Sequence, residues 1–151
     1  MLKKIRKINE SKYECLYVSY GSVYDNCTYC GLPATCMDHV PPISRCSDFN
    51  RKALDYNNFF KVPSCTECNS ALNDLVLYSI RERLEFIRKF LRKKYKNSLH
   101  LPPWEDEDYE DMNPLFAEEI KRKDSQVDIL YMRLDHYPED NILNLKWETD
   151  D

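Results

Sequence analysis

Two short stretches with the same pattern decide the fold: Cys27-Thr-Tyr-Cys30 and Cys65-Thr-Glu-Cys68, with 34 residues between them. Two residues between cysteines let both sulfurs turn to one ion, and zinc prefers thiolate ligands. Two such pairs supply the four ligands of a tetrahedral site, which leaves no open position for chemistry. We therefore predict one structural zinc ion held by Cys27, Cys30, Cys65 and Cys68.

Two other interpretations of the cysteine pairs are weaker. A thioredoxin-like redox motif would explain one pair, and a chance group of buried cysteines would explain both. An Asp-His sequence lying between two such pairs argues against each of them. The remaining cysteines are predicted to be ordinary small apolar residues; they are Cys15, Cys36 and Cys46.

The expected cellular compartment bears on the interpretation of the cysteine pairs. The chain has no signal-peptide core and no run of eighteen apolar residues, so we expect a cytoplasmic protein with no membrane segment. In a reducing compartment, paired cysteines bind metal more often than they form disulfides. This expectation supports the zinc interpretation.

Charge is segregated along the 151 residues. The net charge of −4 alone argues against a general nucleic-acid binder, but residues 75–99 carry eight basic and two acidic side chains. Residues 104–119 carry eight acids and no base. Local fields therefore matter more than the total. We predict one compact domain with a basic segment and a strand in 1–26, a core in 27–74 and a helical extension in 75–151.

The spacing of apolar residues predicts helices after the second cysteine pair. A helix is expected from about Thr66 towards Leu99, either straight or kinked, and its apolar stripe is Ile80, Leu84, Ile87 and Leu91. Asn113-Pro114 predicts a second helix start, with Asn as the cap and Pro in the first turn. That helix should cover residues 115–123.

Strands are less clearly indicated. Residues 13–24 are rich in Tyr and Val and predict a strand. Residues 43–64 are polar and irregular, and residues 125–134 fit either a helix or a strand. The alternation of Leu143, Leu145 and Trp147 predicts a short strand at the C-terminus.

The motifs together form a longer signature. It reads Cys27-x-x-Cys30-Gly, then Asp38-His39-Val-x-Pro42, then Val62-Pro63-x-Cys65-x-x-Cys68-Asn69. This signature resembles the HNH endonucleases that carry a zinc ribbon, within the ββα-metal nuclease superfamily, and it covers about residues 27–74. The resemblance implies an α+β fold with a zinc-stapled ββα-metal (HNH) core and additional helices. In that core, a β-hairpin packs on one helix with a divalent ion between them.

The resemblance also implies a role for each motif residue. His39 would be the general base, and Asp38 would be a ligand of a catalytic magnesium or manganese ion. Asn69, on the helix, would be the second ligand of that ion. The middle Asn of the family, which braces the loop, would correspond to Asn58 or else to Asn57.

The function implied is metal-dependent hydrolysis of phosphodiester bonds in DNA, in a phage or bacterial setting, with 5′-phosphate and 3′-hydroxyl products. A neutral imidazole with an ordinary pKa of about 6.5 can take a proton from water at physiological pH. A magnesium or manganese ion bound by oxygen ligands neutralises phosphate charge. A single small site needs two copies or two visits to cut both strands, so a homodimer is one open alternative.

The basic segment is the expected DNA contact because it directly follows a nuclease-like motif. The residues predicted to contact DNA are Arg81, Arg88, Arg92 and Lys96. The alternative is a solvated helix face with a few intrahelical ion pairs. For the whole chain, the rival function is a non-catalytic zinc module that binds nucleic acid or protein.

Overall fold

The structure is a computed structural model that describes residues 10, 17–48, 59–102 and 104–147. In this part of the chain, a three-stranded sheet is combined with five α-helices. The strands are β1 (Tyr17–Ser19), β2 (Cys36–Val40) and β3 (Phe59–Ser64). The helices are α1 (Thr66–Leu72), α2 (Ile80–Lys94), α3 (Lys96–Leu99), α4 (Pro114–Asp135) and α5 (Asp140–Leu143). The predicted α+β class is confirmed.

The sheet is built around β3. Strand β1 pairs with β3 in parallel, and β2 pairs with it antiparallel, with Asp38 opposite Val62. Five of the six β3 side chains are buried, as expected for a central strand with both faces covered. The prediction that 43–64 is irregular is therefore wrong for β3, and Ile43–Asp48 forms a 3-10 helix. Of the strand predicted over residues 13–24, the part at 13–16 lies outside the described residues.

The single long helix predicted from Thr66 is two helices and a short third one. Helix α1 ends before Asn73, whose N–H still bonds to the Asn69 carbonyl but whose positive φ of 37° departs from the helical conformation. Helix α2 then begins at Ile80, and Ser79 is its N-cap. The Ser79 hydroxyl accepts a hydrogen bond from Glu82 N, while the Glu82 carboxylate accepts one from Ser79 N. This reciprocal capping box starts a new helix independently of the first.

The apolar stripe of α2 is buried as predicted, because it packs into the one large core of the described residues. Its members are Ile80, Leu84, Ile87 and Leu91. Their spacing puts them on one side of the helix. The same side also carries Arg83, which is fully buried.

Helix α4 confirms the predicted start and extends further than predicted. Asn113 caps it by accepting a hydrogen bond from Leu115 N at 3.0 Å, and Pro114 occupies the first turn. The helix continues through residues 125–134, so the ambiguity there is settled in favour of a helix. In the part of the chain that the structure describes, no helix combines the length and hydrophobicity that a membrane span needs.

The predicted C-terminal strand is wrong. Residues 140–143 form α5, and the following residues contribute only an isolated bridge between Ser79 and Lys146. Trp147 is buried and stacks on Tyr78, with ring centroids 5.4 Å apart. The alternating apolar residues thus pack beside the start of α2 rather than extend the sheet.

Glu67 connects three helices. Its carboxylate, on α1, accepts bonds from Lys94 at 2.5 Å, from the Tyr95 hydroxyl at 2.6 Å and from Arg133 of α4 at 2.5 Å. Partial burial acts to raise the pKa of Glu67, but these three donors outweigh it and hold the pKa at about 2. Arg133 is itself buried, so its charge depends on Glu67 for compensation.

Replacing Glu67 with Ala is expected to lower the free energy of unfolding by about 2–3 kcal/mol, because it leaves the buried Arg133 charge without its carboxylate. Urea unfolding of the zinc-loaded protein at neutral pH measures this loss. Glu119→Ala is the matched control, since it breaks an exposed pair with Arg122 and should cost at most about 0.5 kcal/mol. Equal effects of the two variants would contradict the linking role of Glu67.

Candidate functional site

The four paired cysteines meet in one buried cluster. All four sulfurs lie within 4.8 Å of one another, and Cys30 Sγ and Cys65 Sγ are 3.7 Å apart. A tetrahedron with Zn–S bonds of about 2.3 Å has S···S edges of about 3.8 Å. The cluster therefore fits a structural zinc ion. Among the residues that the structure describes, it is the only group of three or more Cys, His, Asp or Glu arranged to hold a metal.

Local backbone geometry aims these sulfurs inward. The first pair is followed by Gly31, whose N–H bonds to the Cys27 carbonyl at 2.9 Å and whose φ of +72° redirects the chain. A Cβ on Gly31 would lie 2.8 Å from Nδ1 of His136, so glycine is needed there for space as well as for conformation. In the second pair, Cys65 is the N-cap of α1, and its sulfur accepts from Cys68 N.

The thiols of the cluster do not titrate as independent groups. Hydrogen bonds from the other three thiols, that of Cys30 first, hold the pKa of Cys27 far below its ordinary value. Hydrogen bonding within the cluster raises the pKa of Cys30 and of Cys68. A bound cation would replace the protons of these thiols. Cys36 lies outside the cluster, and its thiol donates to the Ser64 carbonyl at 3.2 Å.

A cavity of about 180 Å³ opens beside the hairpin formed by β2 and β3. Nine residues line it: Asp38, His39, Pro42, Ile43, Ser44, Asn69, Ser70, Asn73 and Asp74. Three of the four motif residues assigned to catalysis by resemblance are therefore together at one cavity. The fourth, Asn58, lies outside the described residues, as does its alternative Asn57.

Asp38 is held by a buried ion pair. Two nitrogens of Arg83, on α2, donate hydrogen bonds to the Asp38 carboxylate at distances of 2.9 and 3.0 Å. The Tyr29 hydroxyl donates to Asp38 Oδ2 at 2.5 Å. Arg83 and Tyr29 are fully buried, and Asp38 is 3% exposed. Burial acts to raise the pKa of Asp38, and the Arg83 charge acts against it. The predicted metal ligand therefore carries contacts that its sequence position does not reveal.

His39 sits on the next position of β2. Its half-buried ring meets the ring of Tyr17 edge-on, with centroids 4.8 Å apart. The Tyr17 hydroxyl donates to the Pro41 carbonyl at 2.9 Å. This contact ties β1 to the end of β2, where His39 lines the cavity.

Asn69 reaches the same cavity from α1, one residue after the last cysteine. Beyond it, the Ser44 hydroxyl donates to Asp74 Oδ1 at 2.6 Å across the cavity lining. Magnesium and manganese prefer oxygen ligands, and magnesium is usually bound through one or two carboxylates together with water and substrate phosphates. The cavity lining is rich in oxygen atoms and therefore has the type of ligand that a magnesium or manganese ion prefers.

The four residues predicted to contact DNA differ in their surroundings. Arg81 donates to Asn144 Oδ1 at 3.4 Å. Arg88 donates to the His136 carbonyl at 2.8 Å, and its guanidinium lies 4.0 Å from the centre of the Tyr137 ring. The other two predicted residues, Arg92 and Lys96, are exposed and line a second cavity of about 340 Å³ with residues of α3 and α4.

Sequence reasoning missed Asp74, which lines the first cavity, and it missed Tyr29 and Arg83, which bond to Asp38. Arg83 had a detectable signal, because it lies three residues after Ile80 and so in phase with the apolar stripe of α2. Arg83 is also one of the eight basic residues of the segment 75–99, so its charge favours the interpretation as part of that basic segment. Tyr29 and Asp74 had no comparable signal, since their roles depend on contacts with distant segments. Comparisons of the chain with known protein families, with curated proteins and with solved structures find no match.

Proposed function

We propose that this protein is a metal-dependent endonuclease that hydrolyses phosphodiester bonds in DNA. One observation carries the proposal: Asp38, His39 and Asn69, which the resemblance to HNH endonucleases singles out, line one cavity. The order of elements agrees with it, because an antiparallel strand pair, β2 and β3, is followed directly by α1. The cysteine cluster joins the turn before β2 to the start of α1, so a bound zinc would cross-link these two segments.

The residues of the cavity suit phosphodiester hydrolysis. His39 would take a proton from the attacking water as general base. Asp38 and Asn69 would hold a magnesium or manganese ion, which when bound supplies charge neutralisation at the phosphate and the leaving oxygen. The amide oxygen of Asn69 is uncharged. A second carboxylate ligand in its place would repel the phosphate and weaken its binding at the cavity, whereas the amide does not.

DNA affinity is assigned to the exposed basic residues near the end of α2. Arg92 and Lys96 are the favoured pair, because Arg88 is bonded to the end of α4 and Arg81 to Asn144. A cation that neutralises a phosphate releases counterions, and each such contact adds about 0.9 to the slope of log affinity against log salt.

The double variant Arg92→Gln/Lys96→Gln is therefore expected to reduce the slope by about 1.8. Fluorescence anisotropy with a short labelled duplex, measured over a series of salt concentrations, gives this value. The matched control is Arg122→Gln/Lys123→Gln, which removes the same charge from an exposed part of α4. If both double variants change the slope equally, the effect is one of net charge and the assignment is wrong.

The test of the proposed activity is a nicking assay. Zinc-loaded protein is incubated with supercoiled plasmid over a titration of Mg²⁺ and of Mn²⁺, with EDTA as the blank. We expect relaxed circles to accumulate in a time- and metal-dependent manner. Absence of cleavage at every metal concentration, with protein that is folded and binds DNA, would reject the nuclease proposal.

A non-catalytic zinc module is the second candidate, and one observation favours it. Both oxygens of Asp38 already accept hydrogen bonds from Arg83, so the carboxylate has a structural role whether or not a cation binds. In that case, the protein would bind DNA or another protein through its basic surface. The nicking assay separates the two functions directly.

A further inference from the structure

The two oxygens of Asp38 are not equivalent. Oδ2 accepts from the Tyr29 hydroxyl at 2.5 Å, from Arg83 Nε at 3.0 Å and from Arg83 Nη2 at 2.9 Å. Among the residues that the structure describes, Oδ1 accepts only from Arg83 Nη2, at 2.9 Å. An ionised carboxylate offers about four acceptor positions, two on each oxygen. Oδ2 is therefore saturated, whereas Oδ1 keeps unused capacity.

The donors that create this difference are themselves held in place. Arg83 projects from the buried side of α2, and Tyr29 lies between Cys27 and Cys30 in the first zinc-binding pair. Neither side chain has exposed surface. Asp38 cannot rotate without breaking buried hydrogen bonds to a charged group, which is unfavourable. One orientation of its carboxylate is therefore selected.

We infer that Tyr29 and Arg83 are positioning residues that present Oδ1 of Asp38 to a divalent cation in the cavity. The inference rests on the proposed function for the presence of that cation. It also gives the zinc cluster a specific task, because the turn made by the first cysteine pair sets the position of the Tyr29 hydroxyl. Residues that hydrogen-bond a metal-ligating carboxylate fix its orientation and tune its affinity.

Mn²⁺ binding provides a readout that does not depend on cleavage. Free Mn²⁺ is measured by electron paramagnetic resonance during titration of the zinc-loaded protein. Tyr29→Phe should weaken Mn²⁺ binding about tenfold, the lower end of the range for such supporting residues. In an Asp38→Asn background, the same change should have no further effect. Tyr95→Phe is the control, because it also removes a tyrosine hydroxyl bonded to a carboxylate, that of Glu67.

Arg83→Lys is the second variant, and it keeps the buried positive charge while losing the planar fork. It should weaken Mn²⁺ binding at least as much as Tyr29→Phe, with zinc content unchanged. The inference is overturned if both variants bind Mn²⁺ like the parent, or if the parent's binding is insensitive to Asp38→Asn. If Mn²⁺ binding follows the expected pattern but the parent does not nick plasmid, the positioning roles stand and only the nuclease proposal fails.

Discussion

Replacing Cys65 with Ser is expected to leave the chain unfolded or insoluble. The change removes a zinc ligand and also alters the N-cap of α1, whose sulfur accepts from Cys68 N. Structural zinc contributes about 10–16 kcal/mol of apparent binding free energy in small zinc-finger peptides. Whole domains have a net stability of about 5–15 kcal/mol, so loss of this ion is enough to abolish the folded state.

The measurement combines metal analysis of the purified protein with far-ultraviolet circular dichroism before and after chelation. Cys36→Ser is the matched control, since its thiol lies outside the cluster and a hydroxyl can make the same bond to the Ser64 carbonyl. That variant should stay within about 1 kcal/mol of the parent in unfolding free energy. Folded, soluble parent protein without any zinc would refute the prediction.

The second large effect is expected on catalysis. His39→Ala should keep the zinc, the fold and DNA binding but lower the nicking rate by about 10²–10⁴-fold, the usual contribution of a general base. Asp38→Asn, which keeps an acceptor oxygen for the buried Arg83, should also weaken binding of the catalytic ion, so a higher Mg²⁺ or Mn²⁺ concentration should restore part of its activity. Asn69→Ala should behave similarly but more mildly, because it removes a neutral ligand, and Asn69→His should stay active.

A time course of plasmid nicking for each variant, repeated over the metal titration, distinguishes these roles. Tyr24→Ala serves as a control, because its side chain is 95% exposed and has no assigned role. Cleavage by His39→Ala at the parent rate would mean that His39 is not the general base. The non-catalytic zinc module would then be the better description.

The four-cysteine cluster and the stripe of α2 could be predicted because both are set by short-range spacing. Two residues between cysteines determine where their sulfurs point, and a 3.6-residue period determines which side of a helix is buried. The break between α1 and α2 was also encoded locally, in Ser79-x-x-Glu82, but the continuous basic and apolar pattern obscured it. These three features are thus encoded by residues that are close in sequence, although the signal for the helix break was not recognised.

The environment of Asp38 could not be predicted, since it depends on a partner 45 positions away. Nothing near Asp38 distinguishes an exposed carboxylate from one buried against an arginine. Burial of a charge is decided by tertiary packing, and it is tolerated only where the partner's geometry satisfies the hydrogen bonds. The same reason explains why the sequence does not distinguish Arg83 from the exposed basic residues of α2.

The ion pair between Arg83 and Asp38 also sets the rotational phase of α2. The apolar stripe determines which side of the helix is buried, and the two-pronged buried bond restricts the angle about the helix axis further, because both of its hydrogen bonds must be kept. Arg92 follows Arg83 by nine residues on the same helix, which at 3.6 residues per turn places it about 180° around the axis. The contact that fixes the inward direction of one arginine thereby directs the other outward, away from the sheet. The buried ion pair between Arg83 and Asp38 therefore helps to determine the direction in which the exposed Arg92 faces.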